Sequence, residues 1–138
     1  MVFMLIIFLS VFSNLKGLNL LNSENITNIK MIYGRIMMVD RKQIAMDFAE
    51  SLDYLEIEKI ILFGSVARME DKKNSDIDIL IIAKDKYKVE DEIYSKAFNI
   101  YLNDDEDISV ILLSTEDYKY NENSDFIANI EKEGILIG

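Results

Sequence analysis

The chain of 138 residues contains no Cys, His, Trp or Pro. Without Cys it cannot form a disulfide, a thiol nucleophile or a zinc-thiolate site, and without His it has no imidazole base or ligand. Any bound metal must therefore rest on carboxylate oxygens, which favour Mg²⁺, Mn²⁺ or Ca²⁺ over metals that prefer softer ligands. The residues that are present, 50% apolar and 29% charged, predict a compact globular domain.

The charge is acidic and unevenly distributed. The chain has 25 Asp and Glu against 15 Lys and Arg, a net charge of −10. Residues 1–37 hold three Lys or Arg and one Glu, a net +2, which leaves −12 for residues 38–138. Because non-specific nucleic-acid binding needs a basic surface, we expect no stable nucleic-acid binding.

The first residues differ from the rest of the chain. Residues 1–12 form an apolar run, but a signal peptide would need a basic start and a small-residue cleavage site, and neither is visible. The run is also shorter than the roughly 20 residues of a spanning helix, which leaves a weak membrane anchor as the less favoured alternative. The Asn-rich stretch 14–28 has no periodicity. We expect residues 1–37 to be an extension outside the functional domain, either translated upstream sequence or a tail, and residues 38–138 to be the domain.

A regular apolar pattern begins after residue 38. Asp40 is placed to cap a helix, whose core-facing stripe consists of Ile44, Phe48, Leu52 and Leu55. Apolar, β-branched segments predict buried strands over residues 57–63, 76–83 and 108–113. A second helix is predicted over residues 89–100, and Ser124 is placed to cap a last short helix that ends at Gly134.

Two carboxylates begin the second predicted strand. Since successive side chains of a strand point to opposite faces, Asp76 and Asp78 project from the same face about 7 Å apart. Adjacent carboxylates repel each other unless a cation lies between them, and Mg²⁺ bound by carboxylates and substrate phosphates is a common solution. The simpler alternative is an acidic strand end that is open to water.

A second set of polar residues follows the first strand. Gly64 and Ser65 end that strand, where a missing Cβ lets backbone N–H groups approach a phosphate and the hydroxyl adds a donor. Arg68, about one helical turn later, can reach the same anion. Taken singly, these residues fit an ordinary tight turn and a surface ion pair of Arg68 with Glu70 or Asp71. Together with the carboxylate pair, they favour a site for phosphate and metal.

These segments resemble a known family. Leu62-Phe-Gly-Ser-Val-Ala-Arg68, followed by Asn74-Ser-Asp-Ile-Asp-Ile-Leu80, is similar to the signature of minimal nucleotidyltransferases of the DNA polymerase beta superfamily. The resemblance implies an α+β fold in which helices flank a small mixed sheet. It also implies that Gly64 and Ser65 hold a nucleotide triphosphate and that Asp76 and Asp78 bind Mg²⁺. Many such proteins pair with a HEPN-type helical partner, often as antitoxin to toxin, and some transfer AMP to a tyrosine of that partner.

The chain departs from the family pattern at two places. The family usually has Gly after the Arg, where this chain has Met69. The family's third carboxylate is expected near the start of the third strand, where counting back from the strand end places it on Ser109, while Asp107 lies on the same face two residues earlier. Asp107 serves as the third carboxylate if the strand starts early. The acidic run 104–107 as a whole is otherwise typical of a solvated loop.

The pattern leads to two functional hypotheses. The favoured one is a cytoplasmic, ATP-using nucleotidyltransferase in which Asp76 and Asp78, joined by Asp107, hold two Mg²⁺ ions and Asp107 activates the acceptor hydroxyl. About 100 residues after Met38 leave little room for an acceptor-binding domain, so we expect a protein partner to supply the acceptor. The alternative is a non-catalytic nucleotide-binding antitoxin that neutralises a basic partner by contact.

Overall fold

The computed structural model describes residues 39–52 and 55–138, together with residues 6, 7, 10, 11, 14, 24, 27 and 28. The chain divides into two compact units, residues 1–39 and residues 40–138. In the first unit, the described residues before Val39 are helical. Most of the predicted extension 1–37, and the predicted domain start at Met38, lie outside the described residues. Among the helices of the described residues, none combines the length and the apolar character needed to cross a membrane.

The second unit alternates helices and strands in the predicted order, with additional short elements. In chain order these are α1 (Arg41–Glu50), β1 (Ile57–Phe63), α2 (Gly64–Ala67), β2 (Ile77–Ala83), a 3-10 helix (Lys86–Lys88), α3 (Glu90–Asp104), β3 (Ile108–Ser114), α4 (Thr115–Asn121), α5 (Asp125–Glu133) and β4 (Ile135–Leu136).

Local side-chain chemistry explains where the helices begin. The Asp40 carboxylate accepts a hydrogen bond from the backbone N–H of Gln43 at 3.0 Å and caps α1. The Ser124 hydroxyl caps α5 in the same way. Both caps were predicted. The predicted core stripe of α1 was wrong at its end: the helix ends at Glu50, and Leu55 is 80% exposed.

The four strands of the described residues form one mixed sheet in the order β3-β2-β1-β4. β1 pairs antiparallel with β2 and with β4, while β2 pairs parallel with β3. The expected α+β fold with a small mixed sheet is therefore confirmed. Every residue of β2 is buried except Asp78, which is half-buried. A carboxylate in the most buried strand stands out because charged groups are costly to bury.

Helices cover both faces of the sheet. One core joins α1 and α3 to the first face, through residues that include Phe48, Leu62, Ile79, Ile81 and Ile93. The other core packs α5 and Tyr118 of α4 on the opposite face, through residues that include Ile61, Leu80, Ile82, Ile127 and Ile130. Because side chains alternate along β2, Asp78 shares a face with Leu80 and Ile82. Asp78 therefore lies at the end of the second core, on the α5 side of the sheet.

We expect a chain that begins at Met38 to unfold within about 5 °C of the full chain, since about 1 kcal/mol corresponds to such a shift in a domain of this size. Within the described residues, the α1 cap and both sheet cores are built from residues after Val39. Thermal melts of the two chains, followed by circular dichroism, measure the difference. A larger fall in the midpoint would assign residues 1–37 to the folded core.

Candidate active site

Asp78 is at the centre of the candidate site. It lies directly opposite Phe63 in the antiparallel pair of β2 and β1. The next residue, Gly64, has a φ of +71°, and a Cβ at this position would collide with the Asp78 carboxylate. Both the backbone conformation and the lack of space require glycine here. The strand-to-helix turn is thus packed directly against the carboxylate, as a site for phosphate and metal would need.

The electrostatic environment makes Asp78 unusual. Burial raises the pKa of the Asp78 carboxyl, the nearby charge of Asp76 raises it further, and Arg68 lowers it. Asp76 itself is exposed and precedes the first residue of β2. The structure thus brings Asp76, Asp78 and Arg68 close enough for their charges to interact. A carboxylate that is held where its ionisation is disfavoured is a typical feature of functional sites.

The turn between β1 and β2 starts with the short helix α2. The backbone N–H of Arg68 donates to the carbonyl of Gly64 at 3.2 Å, and the N–H of Glu70 donates to the carbonyl of Ser65 at 2.9 Å. Ser65 is half-buried, and its hydroxyl forms no hydrogen bond with the described residues. Met69, where the family usually has Gly, has a φ of +59° and is 87% exposed. The chain thus keeps the left-handed backbone that favours glycine, at some cost in strain.

Arg68 forms two exposed ion pairs. Its Nε donates to Glu70 at 3.0 Å, and its Nη1 donates to Glu133 of α5 at 3.5 Å. The structure therefore contains the simpler alternative for Arg68, a surface ion pair with Glu70. Asp71, the other partner considered for Arg68, pairs with Arg41 instead. Since exposed ion pairs contribute little to stability, Arg68 can exchange these carboxylates for a phosphate at small cost.

The register of β2 and β3 places the two candidates for the third carboxylate. Ile77 pairs with Ile108 and Asp78 with Ser109, so Ser109 is directly beside Asp78 on the same face. Asp107 precedes the first pair, and its carbonyl accepts a hydrogen bond from the N–H of Ile77 at 2.8 Å. Both Asp107 and Ser109 are exposed. Among the described residues, no three acidic side chains lie together as a metal site.

A buried ion-pair network, which the sequence did not predict, lies behind these segments. Nε and Nη2 of Arg41 hold the Glu106 carboxylate at 2.6 and 3.2 Å, and Nη1 holds Asp71 at 3.0 Å. Arg41 also donates to the carbonyls of Lys72 and Lys73 at 2.9 and 2.7 Å. The side chains of Arg41 and Glu106 are only 10% and 7% exposed. Helix α1 is thereby tied to both segments that lead into the acidic strands.

The acidic run 104–107, which includes Glu106, was predicted to be a solvated loop. That prediction was wrong for Glu106, because its side chain is buried. Asp105 has a φ of +55° and ends α3, which turns the chain so that Glu106 points inward and Asp107 remains exposed. No local pattern distinguishes Glu106 from its acidic neighbours, because its partner is 65 residues away.

We expect Asp78→Asn to raise the melting temperature at pH 7 without Mg²⁺, by on the order of 2–4 °C. Because the folded state raises the pKa of Asp78, its ionised form destabilises the fold above that pKa. The neutral amide removes this penalty. Thermal melts measure the gain, which must shrink as pH falls through the raised pKa and wild-type Asp78 becomes neutral. A lower melting temperature for the variant at pH 7 would contradict this account.

The described residues thus form a mixed-sheet domain in which a Gly-Ser turn packs on a strand carboxylate. The family model "Polymerase beta, Nucleotidyltransferase" matches residues 47–138. The chain therefore belongs to the polymerase beta nucleotidyltransferase family, which confirms the resemblance carried by the two motifs.

Further comparisons give more distant similarities. A search among curated proteins finds no match. A crystal structure of a toxin-antitoxin with AMP-PNP is 18% identical, with a TM-score of 0.45. A mutant of the toxin-antitoxin MntA-HpeT is 17% identical, also with a TM-score of 0.45. Each alignment covers 73% of this chain and 73% of the other.

Proposed function

We propose that this protein is a Mg²⁺-dependent nucleotidyltransferase that transfers AMP from ATP to a hydroxyl group. Membership of the family supports a nucleotidyltransferase role. The observation that carries the proposal is the close approach of Gly64 to Asp78, which sets the Gly-Ser turn directly against a carboxylate whose ionisation is disfavoured by burial. In this proposal Gly64, Ser65 and Arg68 bind the triphosphate.

The donor set of the site fits a hard divalent cation. Asp78 and the neighbouring Asp76 supply carboxylate oxygens. Burial raises the pKa of Asp78 and the charge of Asp76 raises it further, so a cation between the two carboxylates would relieve that repulsion. In the proposal Asp76 and Asp78 hold Mg²⁺, with Asp107 contributing to a two-ion site. Bound Mg²⁺ supplies neutralisation of the phosphate charge.

In the proposed transfer of AMP, Asp107 and Arg68 have separate roles. The acceptor oxygen forms a bond to the α-phosphorus, the bond from that phosphorus to the bridging oxygen breaks, and pyrophosphate leaves. Asp107 takes the proton of the acceptor hydroxyl. Its exposed position, next to the first pair of β2 and β3, leaves it accessible to an acceptor that arrives from outside. Arg68 offers a guanidinium that can donate to the phosphate oxygens.

We propose that the acceptor is a tyrosine of a HEPN-type helical partner, to which this chain is the antitoxin. An apolar surface on α3 supports a protein partner, because large side chains at helical spacing are exposed on it: Tyr94, Phe98, Tyr101 and Leu102, each at least 50% exposed. The adjoining side of α3, about 100° around the helix, buries Ile93 and Ala97 in the core. A helix that is apolar on its outer side as well is typical of a surface that receives another helix.

One observation favours a second candidate function. The position directly beside Asp78 on β3 is Ser109, a residue without a carboxylate. If Asp107 does not take over as the third acid, the domain binds nucleotide without transferring it. The protein would then be an antitoxin that neutralises its partner by contact, for which the net charge of −12 over residues 38–138 suits a basic surface.

We expect ATP to bind in the presence of Mg²⁺ and to lose most of its affinity when Mg²⁺ is removed with a chelator. The combined change Asp76→Asn and Asp78→Asn should abolish the Mg²⁺ dependence, since both carboxylates are the proposed ligands. Isothermal titration calorimetry measures these affinities. The matched control is Asp104→Asn with Asp105→Asn, which alters the net charge equally at two exposed positions. Equal affinity with and without Mg²⁺, or no loss in the double variant, would overturn the proposed site.

A further inference from the structure

A pocket of about 380 Å³ opens beside the Gly-Ser turn, on the α5 side of the sheet. Its volume is within the range of small-molecule sites. The pocket lies between the end of β1 and one face of α5, and its walls include Phe63, Gly64, Phe126, Asn129, Ile130 and Glu133. The four residues from α5 recur at three- and four-residue spacing, so one stripe of that helix forms a wall.

This pocket is continuous with the carboxylate site. Gly64 belongs to both, because it lines the pocket and packs against Asp78. Arg68 also lines the pocket, where it pairs with Glu133, and its charge acts on Asp78. A ligand whose phosphates reach the turn and Arg68 would therefore extend its other end into the pocket.

The walls of the pocket match a flat ring with polar edges. The rings of Phe63 and Phe126 meet edge to face, with centroids 6.3 Å apart and planes at 88°. Phe126 is nevertheless 51% exposed, which leaves part of its ring free for a further contact. Asn129 is exposed, and its amide can donate and accept at the same time. Adenine presents that combination, an amino donor next to a ring acceptor, and an Asn amide can pair with both.

We propose that this pocket binds the adenine base of the nucleotide, with the base against Phe126 and its polar edge on Asn129. The inference rests on the proposed function, since it assumes that the triphosphate lies at Gly64, Ser65 and Arg68. It adds the part of the site that distinguishes one nucleotide from another. Helix α5, which follows the acidic strands in the chain, becomes the specificity element of the domain.

Calorimetry with two probes in Mg²⁺ separates the base from the phosphates: ATP, and inorganic tripolyphosphate, which has no base. We expect Phe126→Ala to weaken ATP binding roughly 5- to 100-fold, the range that corresponds to loss of a base–aromatic stack, and to leave tripolyphosphate binding unchanged. Asn129→Leu should reduce the preference for ATP over GTP. Tyr120→Ala is the control, because it removes a 90% exposed ring from α4, away from the pocket walls.

Each outcome bears on the proposal. Unchanged tripolyphosphate binding in Phe126→Ala also shows that the variant is folded, so a selective loss of ATP supports the base pocket. Equal binding of ATP and tripolyphosphate by the wild-type protein would overturn the pocket and leave the proposed function standing. Equal loss of both probes in Phe126→Ala would make Phe126 a structural residue and overturn the pocket as well. If the wild-type protein binds neither probe, the proposed function fails and the base pocket fails with it.

Discussion

Arg41→Ala is expected to lower the free energy of unfolding by about 3 kcal/mol, a large share of the stability of a small domain. The change removes the bidentate partner of Glu106, whose side chain is 7% exposed, and leaves that carboxylate buried without its cation. It also deletes the donors that hold the carbonyls of Lys72 and Lys73. Arg41→Lys should recover only part of the loss, because an ammonium cannot match the guanidinium fork.

Urea unfolding measures these differences in the free energy of unfolding, and an exposed ion pair serves as the control. Lys59 pairs with Glu131 at 3.1 Å, but both side chains are more than one third exposed, so Lys59→Ala should cost less than about 1 kcal/mol. Adding Glu106→Gln to Arg41→Ala should restore part of the stability, since it removes the unpaired buried charge. An Arg41→Ala loss no larger than that of Lys59→Ala, or no recovery in the double variant, would contradict a buried pair.

The same network matters for the candidate site. Through Asp71 and the carbonyls of residues 72 and 73, Arg41 holds the segment that leads to Asp76. Through Glu106 it holds the residue before Asp107. Two proposed carboxylates thus depend on one guanidinium that comes from a different helix. In this arrangement the stability of the domain and the placement of its acids have a common cause.

The parts of the fold that the sequence predicted are those encoded by neighbouring residues. The strands follow from apolar, β-branched runs, and the caps at Asp40 and Ser124 follow from short polar side chains before apolar periodic segments. The turn at Gly64 was predicted because a glycine after a strand, without a Cβ, lets the backbone approach closely; the structure adds that Gly64 has a φ of +71°. Helix α4 was not predicted. It directly follows β3, where Ser114 and Asp117 form its capping box, and none of its residues is buried, so the helix shows no apolar stripe in the sequence.

The parts that the sequence did not predict depend on contacts between distant residues. The pairing of Arg41 with Glu106 joins positions 65 residues apart, and nothing in the acidic run 104–107 distinguishes the buried member. Which β3 residue lies beside Asp78 is likewise set by the register of the parallel pair. The apolar pattern of one strand does not specify that register. The motif therefore located the candidate site, while the register determines how its third acidic position is filled.

The register of β2 and β3 also bears on the chemistry, because it puts Ser109 beside Asp78 and leaves Asp107 just before the first pair. If Asp107 is the general base, Asp107→Asn should slow AMP transfer roughly 10²- to 10⁴-fold, since a positioned base contributes about that much to the rate. ATP affinity should change little, because Asp76 and Asp78, the main proposed Mg²⁺ ligands, remain. Ser109→Ala should have only a mild effect, because a serine beside Asp78 supplies no base at neutral pH. The assay is transfer from labelled ATP to the co-expressed partner, read by intact mass as an adenylyl group added to tyrosine.

The two candidate functions give opposite results for a third variant, Ser109→Asp. With Asp107 as the base, this change adds a carboxylate beside Asp78 where one is not needed, so the added repulsion should reduce transfer. Under the contact alternative, the wild-type protein transfers no AMP, Asp107→Asn changes nothing, and Ser109→Asp is the variant expected to introduce transfer. A wild-type protein that modifies nothing, yet still binds and silences its partner, would replace the enzymatic proposal with neutralisation by contact.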